Sequence, residues 1–105
     1  MDTNTQPLKI ILTYDILPGT GEVHYHFMVG RFVPLLQQLG FTDFQAWHTV
    51  YGDYPQRLVI FVAKNSQQVH ALLISELWAE LQQTLMQHVT NYQVRVLPAQ
   101  THFQY

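Results

Sequence analysis

The chain contains no cysteine, which excludes disulfides, thiolate metal sites and cysteine nucleophiles together. Charge is scarce as well. Asp, Glu, Lys and Arg make up 11% of the 105 residues, against about 25% in a typical soluble domain. The five basic residues are scattered and the net charge is −2, so the basic patch that a nucleic-acid surface needs is missing. Long apolar runs are missing too. The longest clean one, Leu58–Ala63, falls far short of the ~20 residues of a membrane-spanning helix. Met1–Pro7 is polar and lacks the basic-then-apolar layout of a signal peptide, so the expected location is cytoplasmic.

What is present is apolar: 48% of the residues, enough for one core, and we expect a single domain over residues 1–105. Disorder, which needs low hydrophobicity and high net charge, is excluded. Gln pairs at 37–38, 67–68 and 82–83 keep helix faces soluble without charge.

Leu8–Leu17 alternates with a period of two and reads as a strand, ended by Pro18-Gly19. A helix is predicted from Glu22 to Leu39, with Thr20 as its cap and Gly40 as its stop. Its apolar stripe is Met28, Phe32, Leu35, Leu36 and Leu39, and Pro34 inside it predicts a kink or break. Phe41–Tyr51 is a second strand, followed by turn chemistry at Gly52-Asp53-Tyr54-Pro55. Arg57–Ala63 is a third strand, apolar on both faces and hence central. Asn65–Val89 is helical, with Asn65 and Gln68 at capping-box spacing and a stripe of Val69, Leu73, Leu77, Leu81 and Leu85. Ser75 can re-cap and split it. Asn91–Leu97 is the last strand.

The order β-α-β-β-α-β predicts an α+β, ferredoxin-like fold: a four-stranded antiparallel sheet with two helices on one face. On the second strand, Phe44, Ala46, His48 and Val50 form one row, and Gln45, Trp47, Thr49 and Tyr51 the other. Whichever row faces away from the helices exposes large side chains, which calls for a second copy packed sheet face to sheet face.

With Thr13-Tyr14-Asp15-Ile16-Leu17-Pro18-Gly19, Val33-Pro34-Leu35-Leu36 ahead of Leu39-Gly40-Phe41, Trp47, and Ser75-Glu76-Leu77-Trp78, the chain resembles the dimeric α+β-barrel superfamily. Within it, it is most similar to the NIPSNAP-like proteins. The resemblance runs over Leu8–Pro98 and implies a homodimeric barrel. It also implies a ligand pocket between the open sheet face and the helices or the partner's loops. The superfamily includes cofactor-independent monooxygenases of aromatic polyketides, haem-degrading enzymes and proteins of no assigned activity. Haem degradation there uses a Trp on the third strand, an Asn on the first and a His on the second helix. Here Phe61 and Thr13 stand at the first two positions, with only His70 or His88 for the third, which argues against haem.

Six histidines invite a metal site. His24 and His26 are two apart and diverge on a helix, His70 and His88 are eighteen apart, His48 sits mid-strand in an apolar row, and His102 lies in the tail. No pair has chelating spacing, so we expect no metal and no cofactor. Gly19-Thr20-Gly21 followed by His24 lacks the third glycine of a dinucleotide loop. Ser66 and Ser75 stand at helix starts, where capping accounts for them, and Glu76 and Glu80 read as a solvated helix face.

The open sheet face remains. If Trp47 points there, it is joined by Gln45, Thr49 and Tyr51, and from the other strands by Lys9, Thr13, Asp15, Gln93 and Arg95. Aromatic walls with a few polar groups suit a small-ligand pocket. The candidate ligand-binding residues are Trp47, Tyr51, Arg95, Asp15, Thr13 and Gln45. Arg95 or Lys9 can hold an anionic oxygen, and Tyr51 or Asp15 can move a proton. The competing reading makes this face a dimer interface anchored by Trp47, with Asp15 paired to Lys9 or Arg95. The favoured function is a NIPSNAP-like, non-catalytic protein, empty or holding a small apolar or aromatic molecule. The alternative is a cofactor-independent monooxygenase or isomerase of an aromatic or polyketide-like molecule.

Overall fold

The computed structural model describes residues 6–51 and 54–99. The elements follow as β1 (Leu8–Ile16), α1 (Gly21–Phe27), a π-helical turn (Met28–Phe32), α2 (Val33–Gln38), β2 (Thr42–Tyr51), β3 (Tyr54–Ala63), α3 (Ser66–Leu73), α4 (Glu76–Met86) and β4 (Val89–Pro98). The strands form one sheet in the order β2-β3-β1-β4, every neighbouring pair antiparallel. This is the ferredoxin-like arrangement that the element order predicts. β3, apolar on both faces, lies inside the sheet as expected. The turn expected at Gly52-Asp53 and the tail from Thr101 lie outside the described residues.

The kink predicted at Pro34 takes a particular form. Proline has no N–H to donate to the carbonyl of Gly30, and its ring crowds that carbonyl. The chain answers one turn earlier by widening. The Val33 N–H donates to the Met28 carbonyl, five residues back, and Pro34 falls in the first turn of α2, where a missing donor costs nothing. The helical run thereby continues from Gly21 to Gln38 without ending at the proline. Two glycines are dictated by backbone geometry. Gly19 sits at φ +80 behind Pro18, and Gly40 at φ +96 closes α2. A Cβ on Gly40 would also stand 3.0 Å from the Gln68 amide nitrogen.

Two capping expectations hold and one does not. Asn65 Oδ1 accepts from the Gln68 N–H at 2.9 Å, and Ser75 Oγ accepts from the Trp78 N–H at 3.1 Å. Thr20 makes no side-chain cap to α1. Its hydroxyl donates instead to the Leu17 carbonyl at 2.7 Å and the His88 carbonyl at 3.0 Å, tying the β1–α1 turn to the start of β4. The break at Ile74-Ser75 also resets the phase of the second helical region. Leu72 and Trp78 are buried, whereas Leu73 of the expected stripe is exposed. His88 and Val89 leave the helix and lead into β4.

The core lies between the helices and one face of the sheet. Ile10, Leu12, Tyr14 and Ile16 of β1 and Val59, Phe61 and Ala63 of β3 meet Phe27, Phe32, Leu36, Leu72, Trp78, Leu81 and Leu85 of the helical layer. Phe61 is the hub. Its ring stacks on Phe44 at 5.2 Å and meets Phe41, Phe32 and Trp78 edge-on, an arrangement that aromatic quadrupoles favour. On β2, the Phe44 row therefore faces the helices and the Trp47 row faces away. His48, opposite Arg57 on β3, is exposed rather than packed in an apolar row.

Candidate functional site

The inner and outer sheet faces each carry a concavity. On the inner side, a pocket of about 260 Å³ opens between α1, the π turn, β2 and β3. Its walls are apolar: Met28, Val29 and Val33 from the helical side, Phe44, Ala46 and Val59 from the sheet, and Tyr25 at the rim. Three polar side chains break this lining, Tyr14, His24 and Arg57.

β1 alternation turns Tyr14 inward with Ile10, Leu12 and Ile16, and antiparallel pairing sets Arg57 directly beside it. α1 supplies His24, four residues before Met28 and eight before Phe32, on the apolar side of the helix. Tyr14 Oη lies 2.9 Å from His24 Nε2. The His24 ring packs against that of His88 at 5.2 Å, and His88 against Phe27 at 5.6 Å. Both histidines are buried. His24 Nδ1, His88 Nε2 and Arg57 Nε have no hydrogen-bond partner, a concentration of unmet polar atoms that a well-packed core avoids.

The electrostatics follow from this burial. Loss of water, helped by the Arg57 charge and by His88, holds His24 down to about 4 from the usual 6.5. His88 is lowered by burial. Burial raises the Tyr14 phenol well above its usual range, with Arg57 pulling the other way. At neutral pH the site thus presents a protonated phenol, a neutral imidazole and a guanidinium. The phenol can donate to a bound molecule and the neutral imidazole can accept from one, which makes them the pocket's acid–base candidates, while shifts in opposite directions disfavour transfer from one to the other.

The residues singled out from sequence lie on the other face. Trp47 and Gln45 border a shallow hollow of about 590 Å³ with Pro7, Lys9, Asp43, Ile60, Val62 and Ala99, and Gln45 also reaches the inner pocket at the edge of β2. Thr13 shares a cross-strand row with Trp47, separated from it by Leu58. Arg95 shares the next row with Ile11, Ile60 and Gln45. Asp15 Oδ2 accepts from the Asn91 side chain at 2.7 Å, whereas the dimer-interface reading pairs it with Lys9 or Arg95. Tyr51 ends β2 opposite Tyr54. The structure therefore brings Trp47 and Gln45 together and spreads Thr13, Asp15 and Arg95 across two further strands.

Sequence reasoning missed Tyr14, His24, His88 and Arg57 as a group. The signal was there for two of them: His24 extends the Met28–Phe32 stripe by one turn, and Tyr14 is the polar member of the apolar row of β1. Among the described residues, no three His, Cys, Asp or Glu side chains are grouped to hold a metal, and no helix is long and apolar enough to cross a membrane.

The sequence matches no protein-family model and no curated protein. Solved structures do match. SnoaB, a cofactor-independent oxygenase from Streptomyces nogalater, superposes with a TM-score of 0.73 at 11% identity, over 95% of this chain and 99% of its own. A hydroxynitrile lyase from Passiflora edulis gives 0.74 at 6% identity, again over 95% and 99%. A NIPSNAP family protein from Agrobacterium tumefaciens gives 0.60 at 13% identity, over 97% and 94%. The chain has the fold of the dimeric α+β-barrel proteins.

Proposed function

We propose that the chain binds a small, flat, largely apolar molecule in the inner pocket and moves a proton on it through Tyr14 and His24, as a homodimer joined by its outer sheet face. The observation that carries this reading is the buried Tyr14–His24 contact of 2.9 Å at the polar side of an apolar pocket. Few polar groups converging in an apolar concavity is the usual make-up of a small-molecule site. The volume of about 260 Å³ exceeds the roughly 150 Å³ apolar cavity known to take up benzene, so one or two fused rings fit. An oxygenase and a lyase share this fold, which supports the catalytic reading over the purely binding one.

The outer face supports the dimer. Ile11 and Ile60 lie side by side there with Leu58 and Val62 on the same strand face, while Trp47 beside them is 47% exposed. An aromatic at the edge of such a strip is the kind of residue that anchors an interface. Light scattering is expected to give a mass near twice 12.3 kDa, and a monomer mass across micromolar concentrations would sink the dimer.

Adjacent residues test where the ligand sits, because β2 sends them to opposite faces. Ala46 lines the inner pocket and Trp47 the outer hollow. Titration with indole, followed by NMR of the histidine rings, is expected to give saturable shifts of His24 that Ala46→Trp abolishes and Trp47→Ala leaves in place. The reverse pattern would move the ligand to the outer set of Trp47, Tyr51, Arg95, Asp15, Thr13 and Gln45.

A further inference from the structure

The polar side of the inner pocket holds a cation and no anion. Arg57 stands on the inner face of β3, between Tyr14 of β1 and His48 of β2, and lines the pocket. Its Nε is buried and lacks a hydrogen-bond partner. The Arg31–Glu80 ion pair lies elsewhere, and no acidic side chain lines the pocket. The groups beside it cannot supply negative charge. Tyr14 keeps its proton, and an imidazole is either neutral or positive. Arg57 is partly buried and its buried Nε has no partner; the planar fork of a guanidinium matches an oxygen anion in geometry as well as charge.

We infer that the pocket selects a ligand carrying an anionic oxygen on an aromatic body, with Arg57 as the residue that determines this specificity. The inference rests on the inner-pocket reading and adds charge to the shape already argued. Met28, Phe44 and Val59 receive the ring, and Arg57 receives the oxygen. Two sources share this chemistry, an aryl carboxylate and an aryl oxide, and a nearby neutral imidazole serves both without repelling either.

Calorimetric titration at about pH 8, where His24 is neutral, tests the inference with two matched pairs of probes: 2-naphthoate against 2-naphthamide, and 4-nitrophenolate against 4-nitroanisole. At least one anion is expected to bind roughly ten- to a hundredfold tighter than its neutral partner, the range for a charge-assisted hydrogen bond. The pair that shows the preference identifies the source. Arg57→Met is expected to erase the preference while retaining the neutral probe's affinity, and Arg57→Lys to retain part of it. Equal binding of anion and neutral partner to the native chain would overturn the inference and leave the pocket reading standing. Binding of none of the four would overturn both. The comparison on the native chain decides the matter even if Arg57→Met fails to fold.

Discussion

The two faces of β1 differ in what they are buried against. Ile10, Leu12, Tyr14 and Ile16 look into the helical layer, and Lys9, Ile11, Thr13 and Asp15 look away from it. Inside, large side chains interlock and the polar groups among them are short of partners. Outside, a flat apolar strip of Ile11, Leu58 and Ile60 is edged by groups that reach water, and the Asp15 carboxylate finds Asn91. The inner face thus combines packing with unmet polarity, the ground for proposing a site there, while the outer face sets the exposed Trp47 beside an apolar strip, the ground for proposing a docking surface. The low charge of the sequence has a cause on each side: one face lies under helices, and the other is the face we propose lies under a second chain.

The contrast is broken most severely at neighbouring positions on β3. Phe61 is fully buried on the inner face and Ile60 is 6% exposed on the outer one. Phe61→Ala removes the hub of an aromatic cluster whose other members cannot collapse onto the space, and is expected to cost about 3–5 kcal/mol. Ile60→Ala opens a space that the flat outer strip can close or fill with solvent, and about half that loss is expected in the monomer. Urea denaturation at two protein concentrations checks both. The Phe61 loss should be independent of concentration, whereas the Ile60 loss should depend on it if a partner covers that face.

Acid probes the same contrast through charge. His24 has its folded value at about 4, against 6.5 when exposed. The unfolded chain therefore binds the proton first as pH falls, and stability present above pH 6.5 is lost progressively down to about pH 4. The full loss from this residue is on the order of 3 kcal/mol. His24→Gln, which can still meet the Tyr14 hydroxyl, should flatten stability over that window as read from thermal unfolding. A slope that persists in His24→Gln would assign the acid sensitivity to another group, with His88 next in line.

Much of this architecture was legible in the sequence because it rests on local rules. The period-two rows of β1 and β3, the Asn65 and Ser75 caps and the Pro34 irregularity each follow from a few adjacent residues. What was not legible depends on distance in the chain. The Tyr14 hydroxyl, His24 and His88 come from β1, α1 and the turn before β4, and each taken singly reads as a core residue. In the sequence Arg57 reads only as the start of a strand, since the register that sets it beside Tyr14 is fixed by the whole sheet. The stripe in the second helical region holds at Val69, Leu77, Leu81 and Leu85 and fails at Leu73, the last residue of α3 before the break that Ser75 re-caps, where Leu72 is buried in its place.

The smallest expected effect separates packing from polarity within the inner face itself. Tyr14→Phe keeps the ring in the core and deletes only the hydroxyl that meets His24 Nε2. One hydrogen bond is lost and the buried His24 Nε2 is left without that partner, a cost of about 1 kcal/mol. The His24 proton affinity is expected to change little, because its depression comes from burial first, then from Arg57 and His88. Arg57→Met should act the other way, leaving the Tyr14 contact in place and letting the His24 value rise toward 6.5 as the neighbouring cation disappears. NMR titration of the His24 ring in the two variants reads both shifts directly. A large rise in Tyr14→Phe would mean that the hydroxyl, rather than lost water and the guanidinium, keeps this imidazole neutral, and the inner face would then be tuned by its hydrogen bond rather than by its unpaired charge.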